Sequence, residues 1–532
     1  MFVRVKRSVQ NGSTYEYLQI VESFRDSGRP RQRVIATLGR REMVIASGAL
    51  DGLLRSLGKF SEKLRVVEAV RTQGIVAHSS KTWGPALVFA RLWETQGLPE
   101  ITRCLARGRK FGFDPERVTF AMALQRLCSP GSDLQGSGWV ETVEAVGFEQ
   151  IALQHLYRTT AFLAEIREDL EVKLFERDRD IFTQELDLVF LDTTSVFVYR
   201  SEETEWCRRG YSRDNRPDLP QLVLAVAVDQ QGWPVSWEVF AGHTADKKAF
   251  EAVITKMRNR FHIRRVIVVA DRGMISKNTL EFLTTHQTAA YDYILGCRMR
   301  KQKEVSEEVL GRAGRYQPVA SNLKVKEVRV GDRRYVVCLN QEEAIKDAAA
   351  REAMLQRLEE RLAKRGAKSL LGNRGYARFL KIERGSVRIN PQAVAADSRL
   401  DGKFVLQTNT KLPADEVAFA YKNLWRVERT FREEKSTLKV RPIYHHRDDT
   451  SIGHIIASFL ALRLEVDLQR RLDKRRIEVS WPTLMRDLGQ VHAVRVKLDG
   501  REYLLRTDLK GTAHQAFAAA GVRPPSPVTP LS

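Results

Sequence analysis

The spacing of apolar and polar residues changes several times along the chain, and each change predicts a different kind of structure. Up to about residue 41 the two classes alternate, and the turn sequences Gln-Asn-Gly and Asp-Ser-Gly predict two small, basic β-hairpins. Between about residues 42 and 180 apolar positions recur every three or four residues, which predicts mainly helices. A Ser-Pro-Gly-Ser-Asp break at 129–133 separates two of them. Such a pair can hold a DNA-recognition helix, but plain helical hairpins share the pattern.

Short apolar runs, which are typical of buried strands, begin near residue 186. The predicted strands cover residues 186–191, 222–228, 235–240, 266–270 and 291–296, and the predicted helices among them cover 246–260 and 277–286. This β-β-β-α-β-α-β order predicts an α/β fold in which helices pack on a mixed sheet.

The remaining regions differ in composition from this core. Residues 301–405 are strongly charged and include short β-like pieces and a predicted helix at 342–367, and a further long helix is predicted at 414–438. A Pro-rich stretch at 523–527 predicts a disordered tail. The predicted organisation is a basic β-hairpin module (1–45), a mostly helical region suited to binding a DNA end (46–180), the first part of a core (181–300), an insertion (301–405), the final helices of the core (406–475) and a C-terminal segment (476–532).

Charge narrows the choice of partner. The 532 residues include 88 Lys and Arg against 66 Asp and Glu, which gives a formal net charge of +22. A folded protein with this positive charge is expected to bind nucleic acid, although a merely soluble or ribosome-bound basic protein shares the charge.

The five cysteines form no CxxC pair or zinc-like spacing, so neither a zinc site nor a disulfide framework is predicted. The sequence contains no recognisable signal peptide or membrane span, which predicts a cytoplasmic protein with no membrane partner.

Two predicted strands are followed directly by a carboxylate. Asp192 follows the apolar run 188–191, and Asp271 follows the run 266–270. Because functional sites on open α/β sheets collect at the carboxyl ends of strands, the two acids are expected to converge. The alternative for each is an Asp that only caps the next turn or helix.

A third acid comes from the predicted helix at 414–438. Residues at helical spacing form one stripe on this helix, and most of them are apolar: Val417, Tyr421, Leu424, Glu428, Phe431, Lys435 and Leu438. Charged residues in a buried stripe must be paired or must bind a metal, because the loss of hydration costs several kcal/mol. The alternatives are a misread helical period or a simple pair of Glu428 with Arg432.

These residues resemble a known family, the DDE transposases of bacterial insertion sequences, in the class with a Tyr, Arg, Glu, Lys pattern on its last catalytic helix. The resemblance is carried by Leu191-Asp192-Thr193-Thr194-Ser195, by Ala270-Asp271-Arg272-Gly273, and by the seven-residue spacings from Tyr421 to Glu428 and from Glu428 to Lys435. It covers roughly residues 187–439. The family's Arg is Leu424 here, so Arg426 or Arg429 is the candidate replacement.

The resemblance implies an RNase H-like catalytic core, interrupted by a β-rich insertion, that cleaves the terminal inverted repeats of the element and joins them to target DNA. It also implies two Mg²⁺ ions, replaceable by Mn²⁺, with Asp192 bridging both and Asp271 and Glu428 each holding one. Tyr421, Lys435 and Arg426 would contact phosphates beside the cut, and Trp425 would stack on a displaced base or pack in the fold. Paired DNA ends imply a homodimer, and the bacterial nucleoid is the implied location.

Other interpretations of the residues remain open at this stage. An apolar strand that ends in Asp-Thr-Thr is superficially similar to phosphotransferases of the haloacid-dehalogenase kind, but their second Asp is Thr194 here. A DNA nuclease without strand transfer and a non-catalytic DNA-binding protein are two further alternatives. His445, His446 and His454 have no third metal ligand at suitable spacing, so surface or packing roles are expected for them.

Overall fold

The structure, a computed structural model, describes residues 1–10, 13–26, 29–58, 77–181, 188–261, 267–270, 281, 283, 291–365, 374–383, 386–424, 430–498 and 501–531. Among the helices of these residues, none is long and apolar enough to span a membrane.

The strands of the described residues are β1 (Phe2–Gln10), β2 (Ser13–Asp26), β3 (Arg29–Arg40), β4 (Ala77–Thr82), β5 (Leu188–Phe197), β6 (Gln221–Val228), β7 (Pro234–Ala241), β8 (Ile267–Ala270), β9 (Asp292–Gly296), β10 (Gln317–Ala320), β11 (Leu323–Val330), β12 (Arg333–Asn340), β13 (Leu380–Glu383), β14 (Ser386–Ile389), β15 (Lys403–Thr408), β16 (His492–Leu498), β17 (Arg501–Arg506) and β18 (Val528–Leu531).

The α-helices of the same residues are α1 (Arg41–Ala46), α2 (Ala49–Gly58), α3 (Gly84–Thr95), α4 (Leu98–Ala106), α5 (Pro115–Cys128), α6 (Asp133–Val140), α7 (Leu153–Ile181), α8 (Asp246–Phe261), α9 (Gln341–Arg365), α10 (Arg374–Ala377), α11 (Pro391–Ser398), α12 (Ala414–Lys422), α13 (Asp448–Lys474), α14 (Trp481–Gly489) and α15 (Ala513–Ala520). Short π-helical segments lie at Glu304–Val309 and Glu433–Thr437.

The chain divides into two compact units. The first comprises residues 1–83, 490–510 and 523–532, and the second comprises 84–489 and 511–522. In the first unit β1, β2 and β3 form an antiparallel sheet, as the two predicted hairpins require. A second sheet of the order β18-β17-β16-β4 joins the two ends of this unit.

The second unit is built on a mixed sheet of nine described strands in the order β10-β11-β12-β15-β9-β8-β5-β6-β7. Strands β5, β6 and β7 are antiparallel neighbours, whereas β8 and β9 run parallel to β5. This arrangement confirms the predicted mixed α/β, RNase H-like core. The strands and the α8 helix lie within two residues of the predicted starts. The helix predicted at 277–286 lies mostly outside the described residues.

Each face of the core sheet is covered by helices. On one face, Val189 and Leu191 of β5 pack with Phe250 and Ile254 of α8 in a continuous apolar core. On the other face α13 crosses the sheet, and Phe459 lies 3.9 Å from Trp237 of β7 between ring centroids. Successive residues of a strand point to opposite faces, so Leu191 faces α8 and Asp192 faces the side of α13.

Helices α7 and α13 approach each other closely at a glycine. A Cβ atom on Gly453 would lie 1.7 Å from the backbone oxygen of Thr160, so no larger residue fits without moving one helix. Farther along α13 the buried Arg463 bonds to both carboxylate oxygens of Asp178, at 3.0 and 3.1 Å, and stacks over Trp233. The contacts of Arg463 with Asp178 and Trp233 therefore join α7 to α13 and to the core sheet.

Two features differ from the predictions. Residues 77–82, expected in a helical region, form β4 and pair with β16. The tail predicted to be disordered ends instead in β18, which pairs with β17, and the backbone oxygen of Pro527 accepts a bond from the Arg506 amide. The segment predicted as an insertion contributes β10, β11 and β12 to the core sheet, because β15 pairs with β12 on one side and with β9 on the other.

Helix α5 offers a test of the local structure. The Asp114 carboxylate accepts bonds from the amides of Glu116 and Arg117, at 2.9 and 3.4 Å, and so caps the helix. Replacement of Asp114 by Ala is expected to lower the free energy of unfolding by about 1 kcal/mol. Asp114→Asn keeps an acceptor oxygen and should retain most of this stability. Urea denaturation of both variants measures the difference, and equal losses would show that the cap contributes nothing.

Candidate active site

Asp192 lies within β5 rather than at its end. The sequence predicted an acid at or near the carboxyl end of a strand, but β5 continues to Phe197 because β6 pairs with it along this stretch. The described parallel pairing with β8 ends at Phe190. Asp192 is therefore the second residue beyond these pairs. Its side chain is 23% exposed, and its Oδ1 accepts a 2.7 Å bond from the Thr193 amide.

Arg213 links Asp192 to the start of α8. Its guanidinium lies 3.9 Å from the Asp192 carboxylate, donates a 2.8 Å bond to the Thr193 hydroxyl and lies 3.0 Å from the Asp246 carboxylate. The Arg213 amide bonds to Ser195 Oγ at 2.9 Å, so the loop between β5 and β6 lies along the strand. The contacts with Thr193, Asp246 and Ser195 therefore fix the position of Arg213 beside Asp192.

The next residue of this loop, Asp214, binds the cation of the late helical segment. Lys435 Nζ and an Arg441 nitrogen each lie 3.0 Å from Asp214 Oδ1, and the side chains of Asp214 and Lys435 are only 4% and 13% exposed. Burial lowers the pKa of Lys435 despite this carboxylate. The two neighbouring residues Arg213 and Asp214 thus connect Asp192 with Lys435.

The late helix is not continuous in its described part. Helix α12 ends at Lys422, where Asn423 turns the backbone and the Leu424 amide bonds to the Tyr421 oxygen three residues back. Described helical structure resumes at residue 430 and widens into the π-helical segment Glu433–Thr437. The prediction of a single helix at 414–438 is therefore wrong, because tighter and wider turns replace α-helical bonds. Insertions of π type are frequent at functional sites.

The burial predicted for the late stripe is nevertheless present. Val417, Leu424, Phe431 and Leu438 are all buried. After this stripe the chain returns to the end of β5. The Ile443 amide donates to the Phe197 oxygen, and the Tyr199 amide donates to the Ile443 oxygen. The segment that contains Lys435 is thereby held beside the end of β5.

Tyr421 packs against the sheet. Its ring stacks on Phe404 of β15 with 5.8 Å between centroids, and its hydroxyl would lie 2.3 Å from a Cβ atom on Gly296 of β9. Gly296 therefore makes room for the tyrosine. The other predicted site residues, Asp271, Glu428, Trp425 and Arg426, lie outside the described residues.

Two family models match the chain. One is described as the N-terminal domain of the IS1634 family transposases and covers residues 3–76, and the other is described as the transposase DDE domain and covers residues 183–464, more than half of the chain. The chain belongs to the DDE transposases. It is thus an insertion-sequence transposase, a metal-dependent enzyme that acts on DNA. The alternative of a haloacid-dehalogenase-like phosphotransferase is wrong.

The transposase also resembles a solved structure. It is similar to the piggyBac transposase in a cryo-EM structure of its synaptic complex with hairpin DNA, with 10% sequence identity and a TM-score of 0.41. The similarity covers 76% of this chain and 79% of the other. A search of curated proteins found no significant match.

The DDE domain implies divalent metal, and the donor chemistry of the site suits it. Asp192 presents a partly exposed carboxylate, a hard oxygen ligand of the kind preferred by Mg²⁺ and Mn²⁺. Among the described residues no group of three or more His, Cys, Asp or Glu side chains is placed to hold a metal ion. Asp271 and Glu428 are not among those residues.

Sequence reasoning did not find the contacts of Arg213, Asp214 and Arg441. The loop that carries the first two is rich in charge between two apolar strands, and Asn215 has a positive φ of 57°. A dense group of charges between two buried strands was therefore the available indication of a functional loop. Asp246, at the start of α8, was not among the predicted site residues, and its contact with Arg213 depends on the folded position of that loop.

Proposed function

We propose that Asp192, Asp271 and Glu428 form the metal-binding catalytic triad of this transposase and that they hold two Mg²⁺ ions, which Mn²⁺ can replace. The observation that carries the proposal is the chain of contacts from Asp192 through Arg213 and Asp214 to Lys435, because it draws the late helical segment to the first acid.

The positions of the described neighbours support the other two acids. Ala270, which precedes Asp271 in the sequence, ends β8, the strand that runs parallel to β5. Thr430 and Phe431 begin the described helical segment two residues after Glu428, and both are buried. The strand that precedes Asp271 is thus a direct neighbour of β5, and the segment that follows Glu428 is packed in the protein interior.

The proposed reaction is a pair of phosphoryl transfers. Water attacks a phosphodiester at the end of the element, the bond from phosphorus to the 3′-oxygen breaks, and a 3′-hydroxyl is freed. That hydroxyl then attacks a target phosphodiester, so one bond forms as another breaks. Bound divalent ions would neutralise the charge that develops on the phosphate.

The residues of the chain itself would position the DNA and the acids. Arg213 fixes the orientation of the strand segment around Asp192, and Lys435 and Arg441 supply positive charge for the phosphates beside the cut. Tyr421, Trp425 and Arg426 are proposed as further DNA contacts. Two copies of the chain would hold the paired inverted repeats and the target DNA, in the cytoplasm at the bacterial nucleoid.

A labelled duplex that ends in the inverted repeat, incubated with the protein, Mg²⁺ and a target plasmid, tests this function. Cleaved ends and joined products are expected. Nicking without joining would support a nuclease without strand transfer, and binding without cleavage would support a non-catalytic DNA-binding protein.

Replacement of Lys435 by Ala is expected to weaken binding of the cleaved end. Loss of one phosphate contact should reduce the slope of log affinity against log salt by about 0.9 for duplex DNA. Lys411→Ala, which removes an exposed lysine before α12, is the matched control and should leave the slope unchanged. An unaltered slope and unaltered cleavage for the Lys435 variant would remove this residue from the DNA contacts.

A further inference from the structure

Two neighbouring cavities lie along α7. They have volumes of about 680 and 610 Å³, and both are lined by Arg158 and Ala161. The first is closed on its other side by the segment after the late helix, from Lys439 to His454. Because the two cavities share Arg158 and Ala161, we name them together the α7 cleft. Its size is in the range of sites that enclose a nucleotide-sized ligand.

Positive charge dominates the α7 cleft. The Arg and Lys residues on its walls outnumber Asp and Glu by two to one. Its acids are already engaged, for example Glu165 by Arg109 and Asp449 by Arg447. In contrast, Arg158 and Lys439 are exposed and have no acidic partner among the described residues. The cleft thus offers uncompensated cations to an anionic ligand.

Two tyrosines stand at the rim of the first cavity. Tyr157 is 42% exposed and Tyr444 is 55% exposed. Tyr157 meets the edge of His445 at 6.4 Å between centroids, and Tyr444 contacts Tyr199 at 5.9 Å. Exposed rings beside cations are the combination by which proteins bind unpaired nucleic acid, because bases stack on the rings and phosphates meet the charges.

The floor of the cavity is a fixed polar cluster. Arg126 is 1% exposed, and its Nε has no hydrogen-bond partner among the described residues. His454 Nε2 donates to the Val440 oxygen at 3.1 Å, so its Nδ1 accepts from Arg126 Nη2 at 3.1 Å. Burial, with the adjacent guanidinium, holds the pKa of His454 well below its usual range, so this ring is neutral. A buried cation with an unused donor therefore lies beneath the tyrosines.

We propose that the α7 cleft binds an unpaired strand of DNA, with bases stacked on Tyr157 and Tyr444 and phosphates held by Arg158 and Lys439. The base faces of a duplex are covered by neighbouring bases, so a duplex would bind only to the cations of such a cavity. An unpaired strand binds both to the cations and to the tyrosine rings. Arg441 lines the cleft and also contacts Asp214, so the cleft adjoins the candidate active site, where the proposed reaction cleaves DNA. The proposal rests on the proposed function only in taking DNA as the ligand.

The test measures binding without divalent metal, so that cleavage plays no part. The probes are an oligothymidylate with one 2-aminopurine and a duplex of equal length with the same label. Fluorescence quenching on binding of the single strand reports stacking. Tyr444→Ala is expected to weaken binding of the single strand by roughly tenfold and to reduce its quenching, with binding of the duplex unaffected. Tyr444→Phe should restore both.

The cations are tested in the same way. A variant with Arg158→Ala and Lys439→Ala is expected to reduce the salt slope for the single strand by about 1.4, at about 0.7 for each phosphate contact. Lys474→Ala is the matched control: this exposed lysine ends α13, about 36 Å along the axis from Thr450 at the cleft. Thermal unfolding of each variant verifies its fold.

The outcomes separate this proposal from the proposed function. Equal loss of single strand and duplex in Tyr444→Ala, or no loss of either, would overturn the binding of an unpaired strand. Asp192→Asn should bind the single strand like the wild type. Failure of that variant to lose cleavage would count against the proposed triad and would leave the α7 cleft result intact.

Discussion

Replacement of Asp192 by Asn is expected to lower cleavage of a DNA end by about a thousandfold or more, with DNA binding nearly unchanged. The amide has the same shape, and its oxygen can still accept the bond from the Thr193 amide, so the local strand should persist. It lacks the negative charge of the carboxylate and would hold a divalent ion more weakly, and a metal ion contributes several kcal/mol to such a reaction. Denaturing gels of end-labelled duplex measure cleavage, and filter binding measures affinity.

The matched control for this variant is Asp332→Asn. Asp332 is an exposed acid in the turn between β11 and β12, so its loss changes the net charge equally without touching β5. It should retain wild-type cleavage. Asp271→Asn and Glu428→Gln are expected to behave like Asp192→Asn. Wild-type cleavage by any one of the three would remove that residue from the proposed triad.

The core strands could be predicted because each carries its own local pattern. Residues 222–228 and 266–270 are continuous apolar runs, and such runs are buried whatever their partner. Helix α8 was predicted as closely, because its apolar positions recur at helical spacing within one segment. In both cases the information needed lies within a few neighbouring residues.

Strand β4 was missed for the opposite reason. Its sequence, Ala-His-Ser-Ser-Lys-Thr, has little apolar character, and it forms a strand because β16 pairs with it from more than 400 residues away. The β18 tail likewise depends on β17. Propensity within a short segment carries no information on such a distant partner.

The candidate site divides in the same way. Asp192 could be found because it follows an apolar run, as Asp271 does, and Lys435 because it lies in an apolar stripe. The Lys435 side chain is only 13% exposed, in agreement with its place in the stripe. Its partner Asp214 could not be found, because the contact depends on how the loop between β5 and β6 folds. Spacing along the sequence does not encode that path.

Replacement of Asp214 by Asn is expected to lower the free energy of unfolding by about 3 kcal/mol in the absence of DNA. The Asp214 carboxylate is buried between Lys435 and Arg441, and its removal leaves two cations without a counter-charge in a poorly hydrated site. Urea denaturation measures the loss. Asp218→Asn, four residues later, is the matched control, because its pair with Arg216 is exposed and screened by solvent and should contribute little to stability.

DNA binding should stabilise the folded Asp214→Asn variant more than it stabilises the wild type. In the wild type a phosphate must compete with the Asp214 carboxylate for Lys435 and Arg441, whereas in the variant these cations have no competing anion. The terminal duplex should therefore raise the unfolding midpoint further in Asp214→Asn, and the salt slope of binding should increase by about 0.9 for each additional phosphate that these cations bind. A carboxylate that only stabilises the fold would give the same loss of stability with no change in slope. An equal slope in both proteins would therefore show that Asp214 does not occupy the place of a phosphate.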